Sequence, residues 1–274
     1  MNADFQKTAR IKEDYLKEIL AEYGSIAVAY SGGVDSTYLA EISHEVLGEN
    51  AQIIIADSPS IPRSELNAAR EIAESKKWNL LIIKTKEYLD EKYQENSGDR
   101  CFYCKDELFN EMQKWCSENG VNKVAYGAII DDLGDHRPGA QAAENHSVLA
   151  PLQDAGLSKN EIRHLSQLRN LPTSSKASFA CLASRLPVGE KVTVEKLGQI
   201  EMAEELIKSI GFKQYRARHH GDICRIEVGE EEIDLLLNTE KRLWLVKEIK
   251  KLGYKFVTLD LNGYRTGSTN GLEK

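Results

Sequence analysis

The sequence has no apolar run that approaches the roughly 20 residues needed to cross a membrane. It also lacks an excess of positive charge, because its 274 residues carry a formal net charge of −7 at pH 7. That balance disfavours broad nucleic-acid binding, which requires a basic surface. The N-terminal residues form a charged amphipathic helical pattern and not a secretory signal. We therefore expect a cytoplasmic protein that binds neither membranes nor nucleic acids.

The sequence contains few cysteines, and their expected roles do not include disulfides. The five cysteines are Cys101, Cys104, Cys116, Cys181 and Cys224. In a cytoplasmic protein such thiols are expected to be reduced, bound to a metal or catalytic, and not paired in disulfides. Cys116 lies in the middle of a predicted helix and Cys224 in a predicted strand, so both are expected to be small core residues.

Short apolar runs alternate with helical patterns along the first part of the chain. The pattern predicts strands over 25–30, 52–56, 80–83 and 123–126, and helices up to residue 24 and over 36–47, 63–76 and about 104–118. Strands that alternate with helices indicate a parallel sheet covered by helices on both faces.

The pattern changes after about residue 185. A long helix is predicted over 192–210 and another over about 230–251, with strands over 215–218, 223–228 and 255–259. We therefore predict an α/β protein with a Rossmann-like domain over 1–185 and a small α+β C-terminal domain over 186–274. The C-terminal domain is expected to bind substrate or to mediate oligomerisation.

A glycine-rich turn, Ser31-Gly32-Gly33-Val34-Asp35-Ser36, joins the first predicted strand to the next helix. Glycine adopts backbone conformations that other residues resist, and the N–H groups of such a turn can converge on a phosphate. The spacing matches neither GxxxxGK[ST] nor GxGxxG. Ser31 and Ser36 add hydroxyl donors, and Asp35 can hold Mg²⁺ near the phosphates. A plain glycine turn that caps the helix is the alternative.

This SGGVDS turn resembles the PP-loop of the ATP pyrophosphatases, which release pyrophosphate and leave AMP on an acyl or carbonyl oxygen. Three later motifs, AYGAIIDDLGDHRPG (Ala125–Gly139), CLASRLPVG (Cys181–Gly189) and DLNGYRTGS (Asp260–Ser268), resemble the LarE-type sulfur transferases. The resemblance covers nearly the whole chain and implies a PP-loop domain followed by a small C-terminal domain. Members of that family adenylate a carboxylate of pyridinium-3,5-biscarboxylic acid mononucleotide and replace its oxygen with sulfur, which leads to the nickel-pincer cofactor.

The resemblance implies a binding site for ATP and Mg²⁺. Its nucleotide-binding residues are expected to be Ser31, Gly32, Gly33, Asp35, Ser36, Ala56, Asp57, Ser58 and Gly127. The family also places a lysine at the position of Lys105, which reaches the phosphates. Asp57 and Ser58 end the second predicted strand, and ligands of open α/β sheets bind at that edge. A loop after the fourth strand holds Asp132, Asp135 and Arg137, which are expected to line the site or to form a solvated turn.

The cysteines decide the sulfur chemistry. Cys101 and Cys104 form a C-x₂-C pair, and two thiolates at that spacing can share one metal centre. Some LarE-type enzymes sacrifice a cysteine at the position of Ala180 here, next to Cys181. Members with a three-cysteine pattern resemble cluster-dependent enzymes, which implies a 4Fe–4S cluster on Cys101, Cys104 and Cys181 with a replaceable sulfide. Zinc, a persulfide and a sacrificial Cys181 stay open as alternatives.

Basic residues of the C-terminal region are candidates for substrate binding. Arg216 and Arg218 alternate along a predicted strand and share one face, so their guanidinium groups can bind a substrate phosphate together with Arg185. An ion pair with Glu227 at the surface is the alternative. Three acidic residues, Glu204, Glu227 and Asp234, are further candidates for a metal site, whereas His219 and His220 are expected to be exposed to solvent.

The sequence thus predicts an ATP-dependent sulfur transferase with Asp35, Lys105 and Cys181 as catalytic residues. Its partners are expected to be the pyridinium mononucleotide and sulfide or another sulfur donor. The resemblance implies a homo-oligomer, and a hexamer in particular. Two alternatives are a tRNA-thiolating enzyme, which requires a basic surface or an added RNA-binding domain, and a nucleotide-binding iron–sulfur carrier, which would not release pyrophosphate.

Overall fold

A computed structural model describes residues 3–134, 138–177 and 180–265. Contacts between Cα atoms divide the chain into two units. The first unit contains Met1–Ser58, Arg63–Glu87 and Cys101–Phe179, and the second contains Pro59–Pro62, Tyr88–Arg100 and Ala180–Lys274. Two short segments of the first half of the chain therefore belong to the second unit. The roles assigned to 1–185 and 186–274 stay predictions.

The first unit is built on a parallel four-stranded sheet. Its strands are β1 (Ile26–Tyr30), β2 (Ala51–Asp57), β3 (Asn79–Lys84) and β4 (Val124–Tyr126), in the order β3-β2-β1-β4. All three strand pairs are parallel, so the carboxyl ends of the strands lie at one edge of the sheet. Every residue of β1 is buried, as expected for a strand with both faces covered. The predicted α/β class is confirmed.

The described residues form ten α-helices. They are α1 (Ala3–Tyr23), α2 (Val34–Leu47), α3 (Arg63–Ser75), α4 (Glu91–Glu95), α5 (Arg100–Asn119), α6 (Pro138–Asn145), α7 (Pro151–Asp154), α8 (Lys159–Leu168), α9 (Val194–Ser209) and α10 (Thr239–Lys251). Helix α1 ends directly before Gly24, which has a φ of +70°. Within these described parts of the chain no helix is long and apolar enough to span a membrane.

Helix α5 packs on one face of the parallel sheet. Phe109, Met112 and Cys116 of this helix are buried against Ala29 and Ile54 of the central strands. Burial raises the pKa of the Cys116 thiol to about 11. Cys116 is therefore a core residue, as the sequence predicted.

The second unit has its own sheet of three strands. They are β5 (Tyr215–His220), β6 (Ile223–Val228) and β7 (Phe256–Leu259), with β5 antiparallel and β7 parallel to the central β6. Cys224 is fully buried in the core of this unit, where burial raises the pKa of its thiol to about 12. The small α+β C-terminal region and the core role of Cys224 are both confirmed.

Two predictions for the second unit are wrong. The single helix over 230–251 is a 3₁₀-helix, Glu230–Leu237, followed by α10, because the side chain of Asn238 caps the second helix by accepting a hydrogen bond from the Lys241 N–H at 3.0 Å. His219 is buried and not exposed. Its Nδ1 lies 3.0 Å from the hydroxyl of Tyr254, which gives the ring a polar partner inside the core.

Candidate functional site

The glycine-rich turn lies between β1 and α2, at the carboxyl edge of the parallel sheet. Gly32 has a φ of +70°, and a Cβ at this position would lie 2.9 Å from the Cβ of Ala69. Both the backbone conformation and the space therefore require glycine. Gly33 is the N-cap residue of α2, and a glycine has no side chain with which to cap the helix. The first N–H groups of α2 are thus available to an anion.

Two hydroxyl groups organise the turn. Ser36 Oγ accepts a hydrogen bond from the Ser31 N–H at 3.1 Å and donates to the Gly33 carbonyl at 3.3 Å. The hydroxyl groups of Ser31 and Ser36 lie 3.0 Å apart. Ser36 is buried and Ser31 is exposed. Ser36 therefore holds the turn in shape from within, while Ser31 faces the solvent where a ligand can enter.

Asp35 carries a buried oxygen that has no hydrogen-bond partner within the described ranges. Its Oδ2 accepts a short hydrogen bond from Lys159 Nζ, whereas its Oδ1 is buried and unbonded. Burial raises the pKa of Asp35, an effect that Lys159 opposes and the nearby Asp132 reinforces. Buried polar atoms are nearly always satisfied, and a carboxylate oxygen is a preferred Mg²⁺ ligand. Asp35 thus fits the role of a metal ligand.

Gly127 brings the end of β4 against the start of α2. A Cβ on Gly127 would lie 3.0 Å from the backbone nitrogen of Ser36 and 3.2 Å from the carbonyl carbon of Asp35. The connection after β1 leads to β2 on one side of it, whereas β4 lies on its other side, so the strand order reverses at β1. Ligands of open α/β sheets bind at such a switch point.

Replacing Gly127 with alanine is expected to destabilise the protein by about 1–3 kcal/mol, because the new Cβ meets backbone atoms that have little freedom to move. Gly198, inside α9, is the matched control. Its Cβ would meet nothing within 4 Å, so Gly198→Ala should raise the free energy of unfolding by about 0.5–1 kcal/mol. Urea denaturation measures both, and equal stability of Gly127→Ala and the wild type would contradict this packing.

The end of β2 is fixed by charged side chains. Arg63 forms an ion pair with the carboxylate of Asp57 and donates to the carbonyl of Ser58, and both contacts are short. The buried Ser58 hydroxyl donates to Glu87. Ala56, Asp57 and Ser58 therefore lie at the sheet edge that holds the turn, and the side chains of Asp57 and Ser58 form structural contacts. Their nucleotide-binding role stays a prediction.

Helix α5 opens with the cysteine pair and Lys105. Cys101 and Cys104 are three residues apart in the first turns of this helix and so lie on one face. Lys105 is partly buried, and its Nζ lies 5.6 Å from the centre of the Phe109 ring. Burial lowers the pKa of Lys105, while Cys104 and Cys101 oppose this shift. Lys105 has no carboxylate partner in the part of the chain that the structure describes, which suits a group that binds an anion.

The predicted three-cysteine site involves both units. All five cysteines lie within the described ranges, and none forms a disulfide. Among the described residues, no three His, Cys, Asp or Glu side chains are grouped as ligands of a metal ion. Cys101 and Cys104 belong to the first unit and Cys181 to the second. The joint site therefore stays a prediction.

Arg185 is a structural centre of the loop that carries Cys181. Its side chain is 2% exposed, and its Nε and Nη2 donate to the two carboxylate oxygens of Glu204 at 2.9 and 3.0 Å. Its Nη1 donates to the carbonyls of Ala180 and Cys181, at 2.5 and 2.9 Å. Arg185 was predicted to bind substrate, but most of its guanidinium donors are occupied by Glu204 and the backbone of this loop. Arg185 therefore stabilises the loop.

Arg216 and Arg218 differ in their surroundings. Arg218 is buried, and it donates to Glu227 at 2.8 Å and to the carbonyl of Ser184 at 3.0 Å. The alternative of an ion pair with Glu227 is therefore confirmed for Arg218, although the pair is buried and not at the surface. Arg225 also donates to Glu227, at 3.0 Å. Arg218 is thus held in a buried network.

Arg216 has no carboxylate partner within the described ranges. It is partly buried, donates to the carbonyl of Tyr215 at 2.7 Å and lies 5.0 Å from the centre of the Tyr264 ring. Burial lowers the pKa of Arg216, and the charge of Arg185 lowers it further. The charge of Glu204 opposes this shift, but among the described residues Arg216 forms no ion pair. Such a guanidinium group is suited to bind an anion.

The predicted acidic metal site on Glu204, Glu227 and Asp234 is wrong. Both glutamates neutralise buried arginines, and Asp234 is exposed. In the loop after β4, Asp132 accepts a hydrogen bond from the Ile129 N–H at 3.1 Å. Its negative charge contributes to the raised pKa of Asp35. The predictions for Asp135 and Arg137 lie outside the described residues.

Sequence reasoning missed two lysines at the glycine-rich turn. Lys159 pairs with Asp35 over a separation of 124 residues, and Lys176 donates to the Gly32 carbonyl at 3.0 Å and to Glu65 at 2.6 Å. The capping box of Ser158 and Glu161 is a sequence signal for the start of α8 and thus for the position of Lys159. Nothing in the sequence indicates the contact of Lys176.

Comparisons with known proteins place the chain among relatives of similar length. No protein-family model matches it. It is 38% identical over 259 residues to an uncharacterized protein of Synechocystis, covering 94% of this chain and 97% of that protein. It is 32% identical over 266 residues to the pyridinium-3,5-bisthiocarboxylic acid mononucleotide synthase of Lactiplantibacillus plantarum, covering 96% and 95%. An uncharacterized protein of Methanocaldococcus jannaschii is 28% identical over 241 residues, covering 88% and 91%.

Proposed function

The chain belongs to the LarE family of sulfur transferases, and we propose that it is an ATP-dependent enzyme that makes a thiocarboxylate from pyridinium-3,5-biscarboxylic acid mononucleotide. The observation that carries this proposal is the near full-length similarity to the synthase of Lactiplantibacillus plantarum, 32% identical over 266 residues. The turn from Ser31 to Ser36, with its uncapped helix, supports the use of ATP. We further propose that the product is used in the synthesis of a nickel-pincer cofactor.

The first step activates the substrate. A carboxylate oxygen of the mononucleotide attacks the α-phosphorus of ATP, the bond to the β-phosphate oxygen breaks, and pyrophosphate leaves. Carboxylates are ionised at neutral pH, so this attack needs no general base. The N–H groups at the start of α2 and the ammonium group of Lys105 stabilise the negative charge that develops on the phosphates.

Asp35 is the residue that would hold Mg²⁺. Its buried, unbonded Oδ1 supports this assignment. The metal ion would neutralise phosphate charge. Gly32 and Gly33 admit the polyphosphate to the backbone, and Ser36 keeps the turn in shape.

The second step transfers sulfur. A sulfide equivalent attacks the acyl carbon of the adenylate, and AMP leaves with the former carboxylate oxygen. We propose Cys101, Cys104 and Cys181 as ligands of a 4Fe–4S cluster, and the shared helix face of the first two supports their part in it. The cluster would supply one iron that is not bound by a cysteine, and this iron would carry a sulfide that can be replenished after each transfer. Arg185 donates a hydrogen bond to the backbone carbonyl of Cys181 and so helps to fix the position of this residue.

Arg216 is proposed to bind the substrate phosphate. Arg216→Ala is expected to raise the KM for the mononucleotide roughly 10- to 100-fold and to leave the KM for ATP unchanged, because a charge-assisted hydrogen bond to the substrate alone is lost. The exposed Lys213 is the control, since Lys213→Ala removes the same charge nearby. A rise in the KM for ATP instead would assign Arg216 to the nucleotide. Arg218 is unsuitable for this test, because its removal takes a buried partner from the carboxylate of Glu227 and is expected to destabilise the fold.

The proposed function is tested by product analysis. The purified protein is incubated with ATP, Mg²⁺ and sulfide, with and without pyridinium-3,5-biscarboxylic acid mononucleotide. Pyrophosphate, AMP and a thiocarboxylate should form only when the mononucleotide is present. ATP binding without pyrophosphate release would favour the carrier alternative, and stimulation by tRNA in place of the mononucleotide would favour the tRNA-thiolating one.

A further inference from the structure

We propose that Lys159 is a further residue of the ATP site, which neutralises Asp35 in the nucleotide-free protein and moves to the β- and γ-phosphates when Mg²⁺ and ATP bind. This inference rests on the proposed ATP-dependent function and adds a residue to it. None of the sequence motifs contains Lys159. The ion pair with Asp35 is the observation that identifies it.

The backbone of Lys159 is held in place while its side chain keeps freedom. Lys159 is the first residue of α8, after the N-cap residue Ser158, and its N–H donates to Asp131 at 2.9 Å. Its side chain is 36% exposed and that of Asp35 is 22% exposed. The ammonium group is therefore positioned at the turn without being buried there.

Four lysine and arginine side chains come from α8 and the segment after it. Arg169 is occupied by ion pairs with Glu13 and Glu45. The donors of Arg163 and Lys176 are also used. Arg163 donates to the carbonyls of Ser174 and Lys176, at 2.7 and 2.8 Å. Lys176 donates to the Gly32 carbonyl and to Glu65. Both therefore serve the internal structure of the turn and its surroundings.

Lys159 is the basic side chain of this group that keeps donors for a ligand. Within the described ranges its ammonium group has Asp35 as its contact, and an ammonium group carries three donors. Asp35 has a second, unbonded oxygen for a cation. When a divalent cation neutralises Asp35, the attraction between Asp35 and Lys159 weakens. The ammonium group then lies beside the start of α2, where the phosphates would bind.

Binding of pyrophosphate and of AMP separates this role from a structural one. Isothermal titration calorimetry with Mg²⁺ present is carried out on Lys159→Met, Lys159→Arg and Lys17→Met. Lys17, which pairs with Glu45 at 2.7 Å and is 30% exposed, is a matched control in another part of the first unit. We expect Lys159→Met to weaken pyrophosphate binding about 10-fold or more. Lys159→Arg should restore most of it, and Lys17→Met should bind as the wild type does.

AMP affinity should be unchanged in all three variants, because AMP lacks the phosphates that Lys159 contacts. An equal loss of AMP and pyrophosphate affinity in Lys159→Met would show a structural role and overturn the inference. Unchanged pyrophosphate affinity in that variant would also overturn it, while the proposed function would stand. Failure of the wild-type protein to bind either ATP or pyrophosphate would overturn the proposed function together with this inference.

Discussion

Asp35→Ala is expected to lower the rate of pyrophosphate release by at least about 100-fold while the protein stays folded. The substitution removes the buried carboxylate proposed to hold the metal ion at the phosphates, and preorganised groups of this kind contribute on the order of 100-fold or more to a rate. Asp35→Asn keeps the shape and removes the charge, so it should lose as much activity. Pyrophosphate release in the presence of the mononucleotide measures both.

The free energy of unfolding of these variants should not fall with their activity. Burial raises the pKa of Asp35 above its ordinary value, so ionising this carboxylate costs more free energy in the folded state than in the unfolded chain. Removing that carboxylate is expected to leave the free energy of unfolding unchanged or slightly higher. Asp154→Ala is the control, because burial also raises the pKa of Asp154, whose charge acts on Tyr23 at the end of α1. It should keep wild-type activity. Near wild-type activity in Asp35→Ala would remove Asp35 from the mechanism.

Cys101→Ala, Cys104→Ala and Cys181→Ala are each expected to abolish sulfur transfer and to leave adenylation intact. The reason is that the attack of a carboxylate on ATP involves no thiolate, whereas the proposed cluster needs all three. In anaerobic preparations each variant should also lose iron and the broad visible absorbance. Cys116→Ala and Cys224→Ala are matched controls, since these buried core cysteines should lose neither.

The mass of the chain after turnover separates the remaining cysteine chemistries. A protein that carries replaceable sulfide keeps its mass, whereas a sacrificial cysteine becomes dehydroalanine with the loss of one H₂S. A loss of that mass at Cys181, in a preparation without iron, would contradict the cluster and leave only the ATP-dependent step of the proposal.

The parallel sheet could be predicted because its strands are short apolar runs separated by helical patterns. Such local patterns also gave α2 and α5, and they placed the glycine-rich turn at a strand end. The division of 230–251 was missed although Asn238 is a typical N-cap residue, since a helical pattern on both sides hides the break.

The ion pairs of the site could not be predicted in the same way. Arg218 and Arg216 share a strand face by alternation, but whether each faces solvent depends on residues elsewhere in the fold. Glu227 of β6 lies directly opposite Arg216, yet its carboxylate pairs diagonally with Arg218 and with Arg225 of its own strand. Arg216 forms no ion pair in the described ranges. Lys159 reaches Asp35 only because α8 packs against α2, and no local pattern encodes that contact.

The origin of the oxygen in AMP tests the central claim most directly. The substrate is prepared with ¹⁸O in its carboxylate groups and incubated with the protein, ATP, Mg²⁺ and sulfide in ordinary water. If the carboxylate attacks the α-phosphorus, the AMP that leaves carries one carboxylate oxygen, and mass spectrometry should find ¹⁸O in it. AMP without ¹⁸O would show that the substrate is not adenylated and would contradict the account.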